Sequence, residues 1–206
     1  MTTYNLANSV DDTYSATGTA NSNYVASTWV LFGKVAGEIY YSWYRYTLNI
    51  PVGSIINSSY LQFFATESTS GDMTNVYFTF LDMTGDPAWQ NANGFGTANY
   101  ADGTALMGIK VDSTGYATWA AVPAWAINNP YNSASLNTMI QAMINDVDYV
   151  AADPVGILVY PGTQAAFIGT YRRCSSKDAG GGTPTKLIIE YTPPAGGAQI
   201  IILTPS

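Results

Sequence analysis

Residues 38–50 constrain the fold most. Tyr40, Ser42, Tyr44, Tyr46 and Leu48 alternate there with Tyr41, Trp43, Arg45 and Thr47. Alternation of period two in aromatic and β-branched residues is the mark of a strand, and both faces of this one are largely aromatic. Arg45 is the only charge in its middle. Shorter runs of the same kind cover residues 25–35, 59–65 (opened by Ile55-Ile56), 75–82, 108–111, 116–124, 154–160, 166–172 and 185–191. In the first of these, Trp29, Leu31 and Phe32 are directed at a core.

Turn chemistry separates the runs. Pro51-Val52-Gly53-Ser54 combines a residue of fixed φ with one free to take a positive φ. Residues 66–74 form a polar loop, residues 177–183 a glycine-rich turn, and residues 84–103 a long Gly-, Asn- and Asp-rich loop. Loops of that length are usually functional or mobile. One segment, residues 135–145, has helical spacing in Leu136, Met139, Ile140, Met143 and Ile144, with Ser133 or Ser135 as its cap. Many short strands with one helix between them predict an all-β, jelly-roll-like antiparallel sandwich with a short crossover helix.

At 206 residues the chain fits one large all-β domain, or such a domain plus a tail. Charged residues are 10% of the total, against about 25% in an ordinary soluble protein. The surface must therefore be covered by Ser, Thr, Asn, Tyr and Gly, as suits extracellular modules and particle-bound proteins. Net charge is −7, and the basic residues are scattered except for Arg172-Arg173 and Lys177. A phosphate backbone would be repelled, so no nucleic-acid partner is expected. No basic amphipathic helix and no apolar run of membrane length is present, so no membrane contact is expected. Residues 1–6 have no secretory signal character. The single cysteine, Cys174, can form no intramolecular disulfide, and a free thiol favours folding in a reducing cytosol.

Catalytic candidates are few. Histidine is absent, which removes the commonest general base and metal ligand. Cys174 then lacks its usual activating partner and reads as a plain small residue. Glu38, Glu67, Asp72, Asp82, Asp86 and Asp102 could supply a glycosidase pair, but most have the setting of solvated turn residues. Asp11-Asp12 and Asp146, Asp148 and Asp153 could donate oxygens to Ca²⁺, although their spacing matches no EF-hand loop and turn chemistry explains them. Arg45 reads as a packed residue. Arg172 and Arg173 alternate faces, so one is directed inward to a carboxylate. No catalytic residue, cofactor or metal is expected.

Two features suit binding. The aromatics Trp89, Phe95, Tyr100, Trp119, Trp125 and Tyr131 either form a stacking platform for a sugar or protein partner or plug the ends of the sandwich. The second is Gln199-Ile200-Ile201-Ile202-Leu203, an apolar strand-former beyond the run that closes at Tyr191. An orphan strand is a liability unless something pairs with it, whether its own domain or a neighbouring subunit. The division expected is a sandwich over residues 1–191, a Pro/Gly linker over 192–198 and an assembly strand over 199–206.

Several motifs recur in a fixed order. They are Ser9-Val10-Asp11-Asp12-Thr13-Tyr14, then Tyr44-Arg45-Tyr46 running into Ile50-Pro51-Val52-Gly53, then Ser59-Tyr60-Leu61. The closing unit is Ser176-Lys177-Asp178 followed by Pro184-Thr185-Lys186-Leu187-Ile188-Ile189-Glu190-Tyr191. Over residues 9–191 this order resembles the DNRLRE or disaggregatase-related β-sandwich domains, which are akin to carbohydrate-binding modules. The resemblance implies a jelly roll used for adhesion or polysaccharide binding, found in secreted surface proteins and in phage virions, with no chemistry of its own.

The expected function is therefore a non-enzymatic virion structural protein: a capsid decoration, head-fibre or tail component. It would be made in the host cytoplasm and form a homo-oligomer, partnered by its own copies or by neighbouring capsid or tail subunits. The alternatives are a carbohydrate-binding or adhesin module of a secreted or surface protein, with polysaccharide as partner, and a subunit of an extracellular filament.

Overall fold

The computed structural model describes residues 1–7, 12–16, 27–35, 38–71, 73–81, 117–152, 154–161 and 170–195. Eleven strands run in chain order: β1 Thr2–Asn5, β2 Asp12–Ala16, β3 Trp29–Val35, β4 Glu38–Thr47, β5 Ile55–Phe64, β6 Met73–Leu81, β7 Ala117–Val122, β8 Pro130–Asn132, β9 Pro154–Pro161, β10 Tyr171–Ser175 and β11 Lys186–Thr192. The helix α1, Asn137–Ile144, lies between β8 and β9. The strands form a four-stranded sheet, β1-β11-β5-β8, and a seven-stranded sheet, β10-β3-β4-β9-β6-β7 with β2 also on β4. All pairings are antiparallel. The two sheets pack into a sandwich, and the described residues are all-β apart from the helix. Since β8 and β9 belong to different sheets, α1 carries the chain across.

Alternation on β4 explains the packing. Tyr44 and Tyr46 face the four-stranded sheet, where the Tyr46 hydroxyl donates to the Thr185 carbonyl oxygen at 3.2 Å and the Tyr44 ring meets Phe63 edge-on at 6.0 Å. The opposite face, Tyr41, Trp43 and Arg45, is buried as well. So β4 is a central strand covered on both sides, as its doubly aromatic pattern requires. Phe63 is the hub between the sheets. Its ring lies 5.4 Å from Phe32, 5.7 Å from Trp125 and 6.1 Å from Trp119.

The turn after β4 forms as its residues dictate: the Ser54 N–H donates to the Pro51 carbonyl oxygen at 3.1 Å, and Gly53 has φ 80°. Strand β6 departs from clean alternation. Asn75 has φ 57°, a conformation Asn tolerates. It places Met73 and Val76 on the same buried face, three residues apart, and Trp119 and Val122 on β7 are buried at the same interval. Strands β1 and β8 are short and carry no periodic signal of their own. Strand β11 reaches Thr192, one residue into the segment expected to be linker.

Of the two serines, Ser135 is the one whose hydroxyl reaches the start of α1. Leu136 occupies the cap position with no side-chain cap bond. The Ser133 hydroxyl instead accepts the Leu61 N–H on β5 at 3.0 Å, and the Ser135 hydroxyl accepts the Asn137 N–H at 3.3 Å. The β5 edge claims Ser133 because an unpaired buried N–H is costly.

Candidate functional site

Of the six candidate contact aromatics, Trp89, Phe95 and Tyr100 lie outside the described residues. Trp119 and Trp125 are buried. Trp125 stacks on Tyr131 at 5.0 Å and 10° and meets Phe32 edge-on at 5.9 Å. Tyr131 is half-buried, and its hydroxyl accepts the Ala126 N–H at 2.7 Å. Trp119 and Trp125 thus belong to the core around Phe63, with Tyr131 stacked on its margin. Substituting Trp125 would disturb the core, so it cannot serve as a clean probe of ligand binding. The segment Gln199–Leu203 also lies outside the described residues.

The adjacent arginines divide their roles by face. Arg172 is fully buried. Its guanidinium donates to the carbonyl oxygens of Pro123 (2.9 and 2.6 Å), Tyr171 (2.8 Å), Gly71 (2.7 Å) and Val122 (3.2 Å). A planar five-donor fork is suited to gathering several carbonyls at once. It ties β10 to the chain before β6 and after β7. Among the described residues the inward arginine clamps backbone, and the outward one meets a carboxylate. Arg173 pairs with Glu67 at 3.2 Å and lies 4.1 Å over the Trp29 ring. Tyr14 stacks on the same indole at 4.8 Å. Two partners that close need opposite faces, so Trp29 has no open face for a ligand.

The Tyr171 hydroxyl donates to Glu67 at 2.6 Å. This bond, helped by Arg173, holds the Glu67 carboxyl below its ordinary value, while Tyr171 is raised by the same bond. The sign is that of a depressed acid. Its contribution is complete above the unfolded value of 4.5 and declines as pH falls from there through the folded value. The pair is about a third exposed, so the effect is expected to be under ~1 kcal/mol. Urea midpoints of the parent and of Glu67→Gln should differ at neutral pH and converge in acid; a constant difference would show that ionisation of Glu67 does not matter.

The other ionisable groups have local duties. Glu38 accepts the Tyr40 hydroxyl at 3.1 Å. Asp12 is buried and accepts the Lys177 N–H at 2.8 Å, closing the turn before β11. Asp146 accepts the Asp148 N–H at 2.9 Å, an Asx-type turn after α1. Asp11, Asp72, Asp82, Asp86, Asp102 and Asp153 lie outside the described residues. Among the described residues no three His, Cys, Asp or Glu side chains are grouped to hold a metal. Cys174 is buried, shares a 3.3 Å hydrogen bond with the Tyr44 hydroxyl, and burial pushes its thiol up to about 12. It is no nucleophile at neutral pH.

The edges of the sheets decide where a strand could be added. On β5 the outer edge is closed. Gln141 accepts the Ile56 N–H at 2.8 Å and donates to the Ser54 carbonyl oxygen at 3.0 Å. Asn137 donates to the Asn57 carbonyl oxygen at 2.9 Å, and the Leu136 N–H donates to the Ser59 carbonyl oxygen at 2.9 Å. Beyond that point Ser133 and then β8 take over. One polar face of α1 thus does the work of a neighbouring strand. Asn137 and Gln141 stand four residues apart on that face, the sequence signal by which the closure could have been found. At the other end of β5, Ala65 bridges Cys174 and the Thr66 N–H donates to the Arg173 carbonyl oxygen at 3.1 Å, joining the sheets along one corner. Outermost among the described strands are β1 and the three-residue β8 in one sheet and β10 and β7 in the other, while β2 has β4 as its one described strand neighbour.

No protein-family model and no curated protein matches the sequence.

Proposed function

We propose that this chain is a non-enzymatic structural protein of a phage-like particle, a capsid decoration, head-fibre or tail component, that joins its neighbours by strand addition and surface contact. The observation that carries it is the sandwich itself. Phe32, Phe63, Trp119 and Trp125, with the buried Arg172 and Cys174, are all engaged in packing within the sandwich. A stiff brick of this kind presents shape and edges to a neighbour. The order of motifs shared with the DNRLRE-like domains and the apolar segment Gln199–Leu203 beyond the last sheet strand agree with it. Many weak contacts on a repeating lattice would supply avidity without a strong single site.

The test uses particles purified from the native source of the gene. A chain ending at Ala195, which keeps β11 whole, is expected to lose association that the full chain retains. Unchanged association would overturn attachment through residues 199–203.

One observation favours the polysaccharide reading. Tyr77 and Tyr160 are cross-strand partners with half-buried rings 5.4 Å apart, on the face of the seven-stranded sheet turned away from the core. Polysaccharide pull-down that fails in Tyr77→Ala with Tyr160→Ala would favour that reading over the particle one.

A further inference from the structure

Among the described residues six large apolar side chains are exposed, and apart from Met1 and Ile127 they fall in two segments: Val52 (56% exposed) and Ile55 (62%) in the turn into β5, and Val147 (93%) and Val150 (61%) in the chain after α1. Hydrogen bonds bring those segments together. The Ala152 N–H donates to the Leu48 carbonyl oxygen at 2.6 Å, and the Tyr149 hydroxyl donates to that of Ile50 at 2.9 Å. Gln141 also reaches Ser54. Scattered apolar side chains need no explanation, but a cluster does.

The end of β11 lies beside this cluster. Thr192 is paired with Ile55, and Pro194 lies beside Gly53, within 3.6 Å of where a Cβ on that glycine would stand. The described residues stop at Ala195. The four steps from Ala195 to Gln199 span at most about 14 Å. The apolar segment Gln199–Leu203 therefore starts next to the apolar end it would cover.

We infer that two copies dock end to end, each laying residues 199–203 across the Val52, Ile55 and Val147 patch of the other. This rests on the assembly reading above and names its first partner: a second copy of this chain. A strand folded back on its own patch would leave its backbone N–H and C=O groups unpaired. Two such strands related by a two-fold axis run antiparallel and pair with each other while covering both patches. Because donor and acceptor share one end, the contact is isologous and closes on itself. It makes dimers rather than a growing filament.

Sedimentation equilibrium on the full chain is expected to give twice the chain mass, and the chain ending at Ala195 the single mass. Ile55→Asp with Val147→Asp, both at exposed positions, should be monomeric with a melting curve like that of the chain ending at Ala195, as should Ile200→Asp with Ile201→Asp. Mixing these two variants restores one intact strand-on-patch contact and should recover part of the dimer. A monomeric full chain would overturn the exchange, and so would a patch variant that dimerises like the parent. A monomer whose patch resists hydrogen exchange only when residues 199–203 are present would overturn it in favour of docking within one copy. A full-chain dimer that fails to associate with particles would uphold the exchange and overturn the attachment reading.

Discussion

Arg172→Met should lower the unfolding free energy by about 4 kcal/mol or more, read from urea denaturation at neutral pH. Methionine preserves much of the side-chain volume but removes every donor. The carbonyl oxygens of Pro123, Gly71, Tyr171 and Val122 would lose their charged partner, in bonds that are part-buried for the first three and buried for Val122. A buried acceptor left without a donor costs about 1–3 kcal/mol and a part-buried one less, and the four here belong to one side chain. Arg172→Lys should recover only part of the loss, because a single ammonium cannot span the same fork of acceptors. A loss below ~1 kcal/mol for Arg172→Met would show that these carbonyls find other donors, and the corner clamp would be discarded.

Gly33→Ala is the second large effect. Gly33 lies in β3, paired with Tyr171 of β10 on one side and Tyr40 of β4 on the other. Its φ is 122°, where L side chains are strained. A Cβ there would stand 2.5 Å from the Thr170 carbonyl oxygen and 2.6 Å from the Tyr171 Cα. Both obstacles are backbone, so no rotamer change relieves them. Strain and overlap together should cost about 3 kcal/mol or more, seen as a lowered melting temperature or as insoluble protein. Gly181→Ala makes a useful control: its φ is 87° but nothing lies within 4 Å of the added carbon. It isolates the conformational part, about 1–2 kcal/mol. Equal losses at the two glycines would show that close approach at Gly33 contributes nothing.

Much of the fold was legible because strands announce themselves by alternation. The run 38–50 contains β4, and 154–160 and 185–191 contain all but the last residue of β9 and β11. The turn at Pro51–Ser54 followed from local chemistry. Strands β1 and β8 were not legible, since four and three residues are too few for a periodic signal. The helix was legible, but which serine serves its start was not, because Ser133 is claimed by β5, a strand that lies far away along the chain, and Ser135 takes the first helical N–H.

The candidate contacts show the same divide. Aromatic residues are as suitable for a platform as for a plug, and composition cannot say which. Trp125 and Trp119 became core residues only because Phe63, Phe32 and Tyr131 close around them. The alternation of Arg172 and Arg173 said that one would turn inward. It did not say that four carbonyls from three separate segments would be waiting there.

By itself, then, the sequence determined the class of fold, the central place of β4 and the weak case for His- or Cys-based catalysis. These depend on period-two patterning and residue type, which are local properties. Only the tertiary structure decided which edges are closed, which arginine is a clamp, and that the exposed valines and Ile55 gather beside the end of β11. Those depend on residues far apart in sequence, and no local pattern encodes a distance across two sheets.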